Sequence, residues 1–336
     1  MSVKETNYGE AIREAFEYLL QEYPSVFCIG QGLWSPWYVG NTMTDLDKKF
    51  GKDRILESPV AELGVTGVAI GASLCGYRPI VIHPRMDFML LAADQIVNQA
   101  AKWYSMLGGA ASPAVTIRGI INRGGEQGAQ HSQALHAWFS HIPGIIVAMP
   151  ATVQDARDLL IASVLSDKPV IYIDDRWLYD RSSILGPIEE KSLNSFGPNI
   201  LIDGKDITLV GCGYTSFLAE KASMILETQG ISAEVVDLRI LNPMKLEVVS
   251  NSVKKTGRLL VVDGGWKTAG IAGEVIAGIM ELNALSDFRC KPSRITLHDS
   301  PAPSSSVLEK NYYPTVENII EKAQQMMGKV GVVKYG

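Results

Sequence analysis

Short apolar runs alternate with longer amphipathic segments along most of the chain, and this alternation predicts its fold. From Asn7 onward, Asn-Tyr-Gly-Glu matches a capping box and apolar residues recur at helical spacing, so we expect a helix to open the chain. Runs such as SVFCIG, RPIVI and PVIYID have the length of buried strands and are separated by helical patterns. Alternating strands and helices predict an α/β fold with a largely parallel sheet covered on both faces.

The alternation is interrupted once, between Asp175 and Lys205, where Gly, Pro, Ser and Asn cluster. It resumes with DITLVGCG and continues to TVENIIEKAQQMM near the C-terminus. A chain of 336 residues is also longer than a single hydrophobic core usually supports. We therefore predict two α/β domains, residues 1–187 and a smaller domain of residues 202–336, joined by a linker at 188–201.

Composition and charge narrow the classes of function. The chain is 46% hydrophobic and 20% charged, as in ordinary globular proteins, and its net charge of −5 supplies no basic field for nucleic acid. No run approaches 18 apolar residues and the N-terminus lacks a secretory-signal pattern, so we expect no membrane span and a cytoplasmic location. The cysteines are far apart without metal-ligand spacing, and we expect them to be buried apolar residues: Cys28, Cys75, Cys212 and Cys290.

Four motifs in the first half carry the candidate chemistry. Glu62 lies in the first turn of the predicted helix ELGVTGVAIGASL, where the helix dipole favours a carboxylate and a lone Glu is usually structural. Met86-Asp87-Phe88 follows, and then the block DQIVNQAAK. Finally, RGGEQGAQHSQ places His131 in a polar, Gly-rich loop after a predicted strand, and such loops often carry function.

Together these motifs resemble the beta subunits of thiamine diphosphate-dependent 2-oxoacid dehydrogenases, of the pyruvate, branched-chain and acetoin dehydrogenase type. The family's P-x-x-E-x-G, M-D-F, D-Q-I-x-N-x-A-A-K and G-A-Q-H-S-Q patterns occur here in order and at family-like spacing. The resemblance continues through His141-Ile142-Pro143-Gly144 and Gly264-Gly265-Trp266 to Leu308-Glu309, and so covers nearly the whole chain. It implies a pyrimidine-binding domain followed by a domain similar to the transketolase C-terminal domain.

The resemblance also implies roles for individual residues. Glu62 matches a Glu that pairs with a ring nitrogen of the cofactor's aminopyrimidine and exchanges a proton with it. Phe88 matches a Phe that packs against the pyrimidine; the alternative is a core aromatic, and both predict a buried ring. His131 matches a His that orients the substrate or donates a proton near the reacting carbon, the alternative being a structural histidine. The expected catalytic residues are thus Glu62 and His131, and the expected cofactor-binding residues are Glu62 and Phe88.

Three departures from the family pattern mark candidate substrate or partner contacts. Gln31 replaces a Glu that in relatives belongs to an acidic tunnel between two active sites, and an amide cannot ionise. Arg85 lies in Ile82-His83-Pro84-Arg85, which replaces a segment containing an acid; it suits a carboxylate on the substrate or partner, although a solvated loop Arg is the alternative. Trp34 opens an aromatic-rich loop that either borders the substrate entrance or packs against a partner.

The resemblance implies decarboxylation of a 2-oxoacid on thiamine diphosphate, with the acyl group passed to a lipoyl group on a separate acyltransferase. In the family, Mg²⁺ and the diphosphate are held by a Gly-Asp-Gly motif of the alpha subunit, and no Gly-Asp-Gly occurs here, so no metal site is expected in this chain. An α2β2 heterotetramer follows from the family pattern. Two alternatives stay open: a carboligase or ketol transferase subunit without a lipoyl partner, and a non-catalytic assembly subunit.

Overall fold

The computed structural model describes residues 5–328, which divide into two compact units. The first unit ends at Phe196 and also includes Ile240–Pro243; the second comprises Gly197–Arg239 and the residues from Met244 onward. Both units consist of a mainly parallel sheet with helices, which confirms the predicted two-domain α/β class. The domain boundaries predicted at 187 and 202 stay predictions.

The first unit is built on a seven-stranded sheet and a separate two-stranded sheet. Its strands are β1 (Glu5–Asn7), β2 (Val26–Gly30), β3 (Ile55–Glu57), β4 (Arg78–His83), β5 (Thr116–Ile121), β6 (Ile146–Ala148), β7 (Val170–Asp175), β8 (Ser182–Ile184) and β12 (Ile240–Asn242). The large sheet has the order β12-β6-β7-β5-β4-β2-β3, and all its pairs are parallel except β12 with β6. Strands β1 and β8 pair antiparallel. The buried strands read as continuous apolar runs, as expected of a parallel sheet.

The helices of the first unit agree largely with the sequence pattern. They are α1 (Tyr8–Glu22), α2 (Leu46–Phe50), α3 (Glu62–Leu74), α4 (Met86–Met89), α5 (Trp103–Met106), α6 (His136–Ser140) and α7 (Val153–Val164). The predicted capping box of α1 is confirmed, because the backbone N–H of Glu10 donates to Asn7 Oδ1 at 2.9 Å and that of Asn7 to Glu10 Oε2 at 3.3 Å. Helix α3 has the bounds of the apolar segment ELGVTGVAIGASL.

The pattern of the segment DFMLLAADQIVNQAAKWYSML, residues 87–107, predicts one long helix, and this prediction is wrong. The segment contains α4, a 3₁₀ turn at Leu90–Ala92, a π-helix at Gln95–Ala100 and α5. The π turn is closed by the backbone N–H of Ala101, which donates to the carbonyl oxygen of Ile96 at 3.1 Å, five residues back. Apolar spacing over such a short stretch does not separate an α turn from a wider one, and π turns occur mostly as single insertions of this kind.

The second unit is a smaller α/β layer structure. Its strands are β9 (Asn199–Ile202), β10 (Ile207–Gly211), β11 (Ala233–Asp237), β13 (Leu259–Trp266) and β14 (Ser293–Leu297), in the order β14-β13-β10-β11-β9. Only the β9–β11 pair is antiparallel. Its helices are α8 (Tyr214–Thr228), α9 (Glu247–Thr256), α10 (Ile271–Leu282), α11 (Ser306–Glu309) and α12 (Val316–Met326). The core between α8, α12 and the sheet includes Leu209, Leu226, Val235 and Ile319.

Burial differs from expectation at one cysteine. Cys28 and Cys212 are buried and Cys290 is partly buried, but Cys75 is exposed, so the expectation is wrong there. Cys75 follows α3, whose sequence is apolar on every face while only one face packs on the sheet; Leu63 and Val68 on the other face are 48% and 63% exposed. A helix that is apolar all round therefore gave no sign of which residues it would bury.

Across residues 5–328, no helix combines the length and hydropathy needed to cross a bilayer.

Candidate active site

The predicted site residues lie at one edge of the seven-stranded sheet. Strands β2, β4 and β5 are parallel neighbours, so their carboxyl ends meet at that edge. Gln31 follows β2, His83 ends β4, and the Gly-rich loop with His131 follows β5. In open parallel sheets, the loops at the carboxyl ends of the strands are where ligands bind.

Glu62 is the first residue of α3, and its side chain is held by a neighbouring amide. The residue is only 7% exposed. Gln31 Nε2 donates a hydrogen bond to Glu62 Oε1 at 3.0 Å. No hydrogen bond within residues 5–328 reaches Glu62 Oε2. One carboxylate oxygen is thus fixed by the protein, and the second remains available to exchange a proton with a ligand.

His83 lies beside this carboxylate as a neutral imidazole. It is 3% exposed, and its Nε2 lies 3.4 Å from the hydroxyl oxygen of Thr66, one helical turn after Glu62 in α3. Burial lowers the pKa of His83 to about 4, and the nearby negative charge of Glu62 offsets only part of that effect. A neutral imidazole adds no competing positive charge beside Glu62 at neutral pH.

This burial predicts how stability depends on pH. An unfolded histidine has a pKa near ~6.5, above the value of about 4 in the folded chain, so between these values only the unfolded chain takes up the proton. Above about pH 6.5 His83 therefore takes almost nothing from the free energy of unfolding, and below it the free energy of unfolding falls as the pH is lowered towards 4. Between about pH 7.5 and pH 5, His83 should cost about 2 kcal/mol of the free energy of unfolding, and His83→Phe should lack this loss. Urea denaturation at the two pH values measures it.

The matched control is His141→Gln, since His141 is exposed. It should retain the pH dependence of the parent protein. Equal pH dependence in the parent and in His83→Phe would show that His83 is not the buried neutral group described above.

The structure brings Phe88 and His131 together, a contact that the sequence analysis did not predict. Their ring centroids are 5.3 Å apart and the rings are nearly perpendicular, at 87°, which is an edge-to-face arrangement. The expectation of a buried phenyl ring is wrong for the chain by itself, because Phe88 is 38% exposed. It projects from α4, a helix of a single turn, which offers too little surface to bury a ring on its outer side.

The loop that carries His131 is fastened to α4 by a carboxylate. Asp87 Oδ1 accepts hydrogen bonds from both the backbone N–H and the side-chain Nε2 of Gln133, each at 3.0 Å. Burial raises the pKa of Asp87, and the two bonds from Gln133 act in the opposite direction. These bonds fix the separation of the Phe88 and His131 backbones, so the ring pair does not depend on its own contact alone.

The Gly-rich turn before His131 is shaped by close packing. Gly124 has φ of +79°, and a Cβ at that position would lie 2.8 Å from the ring of Trp177. Arg123 Nη2 forms a buried ion pair with Asp175 Oδ2 at 2.6 Å. Only glycine suits both the positive φ and the close approach at position 124. The ion pair between Arg123 and Asp175 holds the turn against the end of β7.

The two further candidates, Trp34 and Arg85, make different contacts. Trp34 Nε1 donates to the carbonyl oxygen of Ile55 at 2.8 Å, its backbone N–H donates to Glu57 Oε2 at 3.1 Å, and Lys52 Nζ lies 3.9 Å from its ring centroid. These bonds tie it to strand β3. Arg85 Nη1 donates to Gln127 Oε1 in the loop before His131.

The structure thus forms two groups from the predicted residues. Gln31 and Glu62 form the first group through their hydrogen bond. The second group contains Phe88 and His131, which are in ring contact, and Arg85, which is bonded to the loop of His131. His83, beside Glu62, and Arg85 are two residues apart, so the two groups are close along the chain. In the described part of the chain no hydrogen bond or ring contact joins Glu62 to Phe88. Residues 5–328 also contain no group of three or more His, Cys, Asp or Glu side chains that could hold a metal ion.

The sequence interpretation missed several members of the site. It did not connect Gln31 with Glu62, and it gave no role to Gln127, Gln133 or Arg176. The available signal was position: Arg176 directly follows β7, just as Gln31 follows β2. A polar residue immediately after a parallel strand stands at the ligand-binding edge of the sheet.

Comparison with known proteins agrees with this geometry. Residues 4–181 match the family "Transketolase, pyrimidine binding domain", and residues 198–319 match "Transketolase, C-terminal domain". A split-gene transketolase, described as an inactive beta4 tetramer, has a similar fold, with a TM-score of 0.76 over 96% of this chain and 98% of that chain at 23% sequence identity.

Curated relatives are similar over nearly the full length. The pyruvate dehydrogenase E1 component subunit beta of Rhizobium meliloti is 35% identical over 95% of this chain and 69% of the relative. The mitochondrial pyruvate dehydrogenase E1 component subunit beta of Bos taurus is 33% identical over 93% and 88%. The acetoin:2,6-dichlorophenolindophenol oxidoreductase subunit beta of Cupriavidus necator is 36% identical over 94% and 96%. Identity of this extent, together with both domain matches, shows that the chain belongs to the family of E1 beta subunits of 2-oxoacid dehydrogenases, built from transketolase-type pyrimidine-binding and C-terminal domains.

Proposed function

We propose that this chain binds the pyrimidine end of thiamine diphosphate and, with an alpha subunit, decarboxylates a 2-oxoacid. The observation that carries the proposal is Glu62, a buried carboxylate whose Oε1 is bonded by Gln31 and whose Oε2 has no protein hydrogen bond in the described residues. An oxygen so placed suits proton exchange with a ring nitrogen. Similarity to beta subunits named for pyruvate dehydrogenase and acetoin oxidoreductase supports the assignment.

The residues present fit the pyrimidine end of this cofactor. Its ring has an apolar face and polar nitrogens, and the chain offers the half-exposed ring of Phe88 and the carboxylate of Glu62. When bound, thiamine diphosphate supplies the carbanion chemistry that decarboxylation requires. Contact with a ligand would cover the exposed part of Phe88 and remove water from the same side of α4.

Each of the chain's own residues then has a separate task. Glu62 holds or releases a proton at Oε2, while Gln31 fixes the other oxygen and with it the side-chain orientation. His131, set by its edge-to-face contact with Phe88 and by the bonds between Asp87 and Gln133, donates a ring N–H to an oxygen of the substrate. The protein aligns the reacting groups, and the cofactor carries the electronic change.

The remaining parts of the reaction are assigned to partners. The chain lacks the Gly-Asp-Gly motif, so we assign Mg²⁺ and the diphosphate to an alpha subunit that carries it, in an α2β2 heterotetramer. We assign the acyl acceptor to a lipoyl group on a separate acyltransferase. A cytoplasmic location remains part of the proposal.

Co-expression with an alpha subunit that contains Gly-Asp-Gly tests this function. The purified complex should release CO₂ from at least one 2-oxoacid, should reduce an artificial electron acceptor, and should acylate a lipoyl domain. The chain alone should bind thiamine diphosphate weakly in calorimetry with Mg²⁺ present, and this measurement serves as the control.

Two results would overturn parts of the proposal. Micromolar binding by the verified beta chain alone would contradict a site shared between subunits. Product formation only in the presence of an aldehyde acceptor, with no acylation of the lipoyl domain, would replace the dehydrogenase with a carboligase or ketol transferase.

A further inference from the structure

Two arginines beside the candidate active site lack a carboxylate partner. Arg85 precedes α4, and Arg176 directly follows β7. In residues 5–328, no Asp or Glu oxygen lies within ion-pair distance of either guanidinium. Arginines in partly buried positions usually pair with carboxylates or phosphates, so two unpaired ones near each other need a reason.

Both guanidiniums are held in place by neutral acceptors. Arg85 Nη1 donates to the side-chain oxygen of Gln127, and Arg176 Nη2 donates to the backbone oxygen of Tyr38. Arg176 Nε is buried and has no hydrogen-bond partner. Several donor N–H groups on each side chain are therefore left for a ligand, and their orientation is already fixed by the protein.

The two arginines border the same Gly-rich loop, because Gln127 of that loop accepts a hydrogen bond from Arg85 and the ring of Trp177, the residue after Arg176, packs against Gly124. Burial lowers the pKa of Arg85, and the positive charge of Arg176 lowers it further. Asp87 and Tyr38 act in the opposite direction. Asp87, however, uses its Oδ1 for both hydrogen bonds from Gln133 and forms no ion pair with Arg85. Like charges that are partly removed from water favour the binding of an anion between them.

The arginines adjoin the residues assigned to the reaction. Arg85 lies three residues before Phe88, and the backbone N–H of Phe88 donates to the carbonyl oxygen of Arg85 at 3.2 Å. Gln127, which holds Arg85, lies four residues before His131 in the same loop. The pairs Arg85–Gln127 and Phe88–His131 are two contacts between the same two segments. An anion held by Arg85 would therefore lie next to the Phe88–His131 pair.

We propose that Arg85 and Arg176 form an anion subsite that binds the far end of the substrate, which is a 2-oxoacid with a second anionic group, a carboxylate or a phosphoryl group. This inference rests on the proposed function, because it names the substrate class of the same site. Arginine donors recognise both kinds of anion, often through two parallel hydrogen bonds. The 2-oxoacid end reacts beside His131 and Glu62, and the second anion selects among 2-oxoacids.

Substrate preference in the assembled complex tests the subsite. We would compare kcat/KM for 2-oxoglutarate, for 2-oxo-4-phosphonobutanoate and for neutral-ended 2-oxohexanoate. The parent complex should prefer one of the dianionic acids, and which of the two it prefers identifies the anion. In Arg85→Gln/Arg176→Gln the ratio of dianionic to neutral kcat/KM should fall about tenfold to hundredfold, because charge-assisted hydrogen bonds are lost. The matched control is Arg13→Gln, an arginine on α1 that pairs with Glu17 at the surface; it should keep the parent ratio.

A binding measurement separates this inference from the proposed function. Calorimetric titration with glutarate needs no turnover; the parent complex should bind it, and the double variant should bind it about tenfold more weakly. No CO₂ from any 2-oxoacid, but arginine-dependent glutarate binding, would reject the function and keep the anion subsite. Decarboxylation of 2-oxohexanoate as efficient as that of the dianionic acids would overturn the subsite alone. So would loss of the alpha subunit from the double variant, since the arginines would then bind acidic groups of the partner.

Discussion

Replacing Glu62 with Gln should reduce turnover of the assembled enzyme by about 10²–10⁴-fold, the range that a positioned acid or base contributes. An amide has nearly the same volume and still accepts a hydrogen bond from Gln31 Nε2 at the position of Oε1. It cannot take up and return a proton at the second position, however, so activation of the cofactor fails while the fold is retained. The direct measurement is hydrogen–deuterium exchange at the cofactor's reactive carbon, followed in the complex by NMR after acid quench.

Glu22→Gln is the matched control, because Glu22 is an exposed carboxylate at the end of α1. It should exchange at the parent rate. An exchange rate in Glu62→Gln within a few-fold of the parent would mean that Glu62 has a structural role only. Thermal denaturation of both variants checks that any loss of exchange is not a loss of folding.

How much of the site was predictable depended on whether a contact lies within a motif or between motifs. Glu62, Phe88 and His131 each stand in a short segment with a recognisable neighbourhood, but the contact between Phe88 and His131 joins two such segments and was not predicted. The hydrogen bond from Gln31 to Glu62 joins residues 31 positions apart. Sequence alone marked Gln31 as a departure and linked it to communication between distant sites, which stays a prediction. The structure adds a local role that depends on the order of the strands.

The same distinction explains the fold. Helix α3 and the apolar strands were predictable because each is an apolar run of characteristic length with clear ends. The order in which those strands pair, and the π turn at Gln95–Ala100, depend on contacts between segments that are far apart in the sequence. Arg176 was overlooked for this reason. Its position after β7 marks it as polar at the ligand-binding edge, but its relation to Arg85 appears only in the fold, where the Gly-rich loop borders both residues.

A second polar cluster lies buried inside the first unit and joins two strands of its large sheet. Arg118 on β5 and Asp174 on β7 are fully buried, and the guanidinium donates to both carboxylate oxygens at 2.8 Å. Nη1 and Nη2 also donate to the hydroxyl oxygens of Thr42 and Tyr179, each at 2.9 Å. Burial by itself would lower the pKa of Arg118, but the charge of Asp174, the hydrogen bonds to it and the neighbouring Tyr179 and Tyr172 together outweigh burial, and the pKa is raised. The cluster therefore joins two central strands to the loop between β2 and α2.

Asp174→Asn should lower the free energy of unfolding of the first unit by about 3–5 kcal/mol, because it leaves the guanidinium of Arg118 buried without a countercharge. The midpoint of urea denaturation, followed by circular dichroism at neutral pH, measures the change. The control is Asp45→Asn, which removes a surface pair with Lys48 whose side chains are 64% and 75% exposed. It should cost less than about 1 kcal/mol. A loss as small as this in Asp174→Asn would show that the neutral hydrogen bonds to Thr42 and Tyr179 are enough to hold a buried guanidinium. The cluster would then owe its stability to hydrogen-bond geometry rather than to its charges.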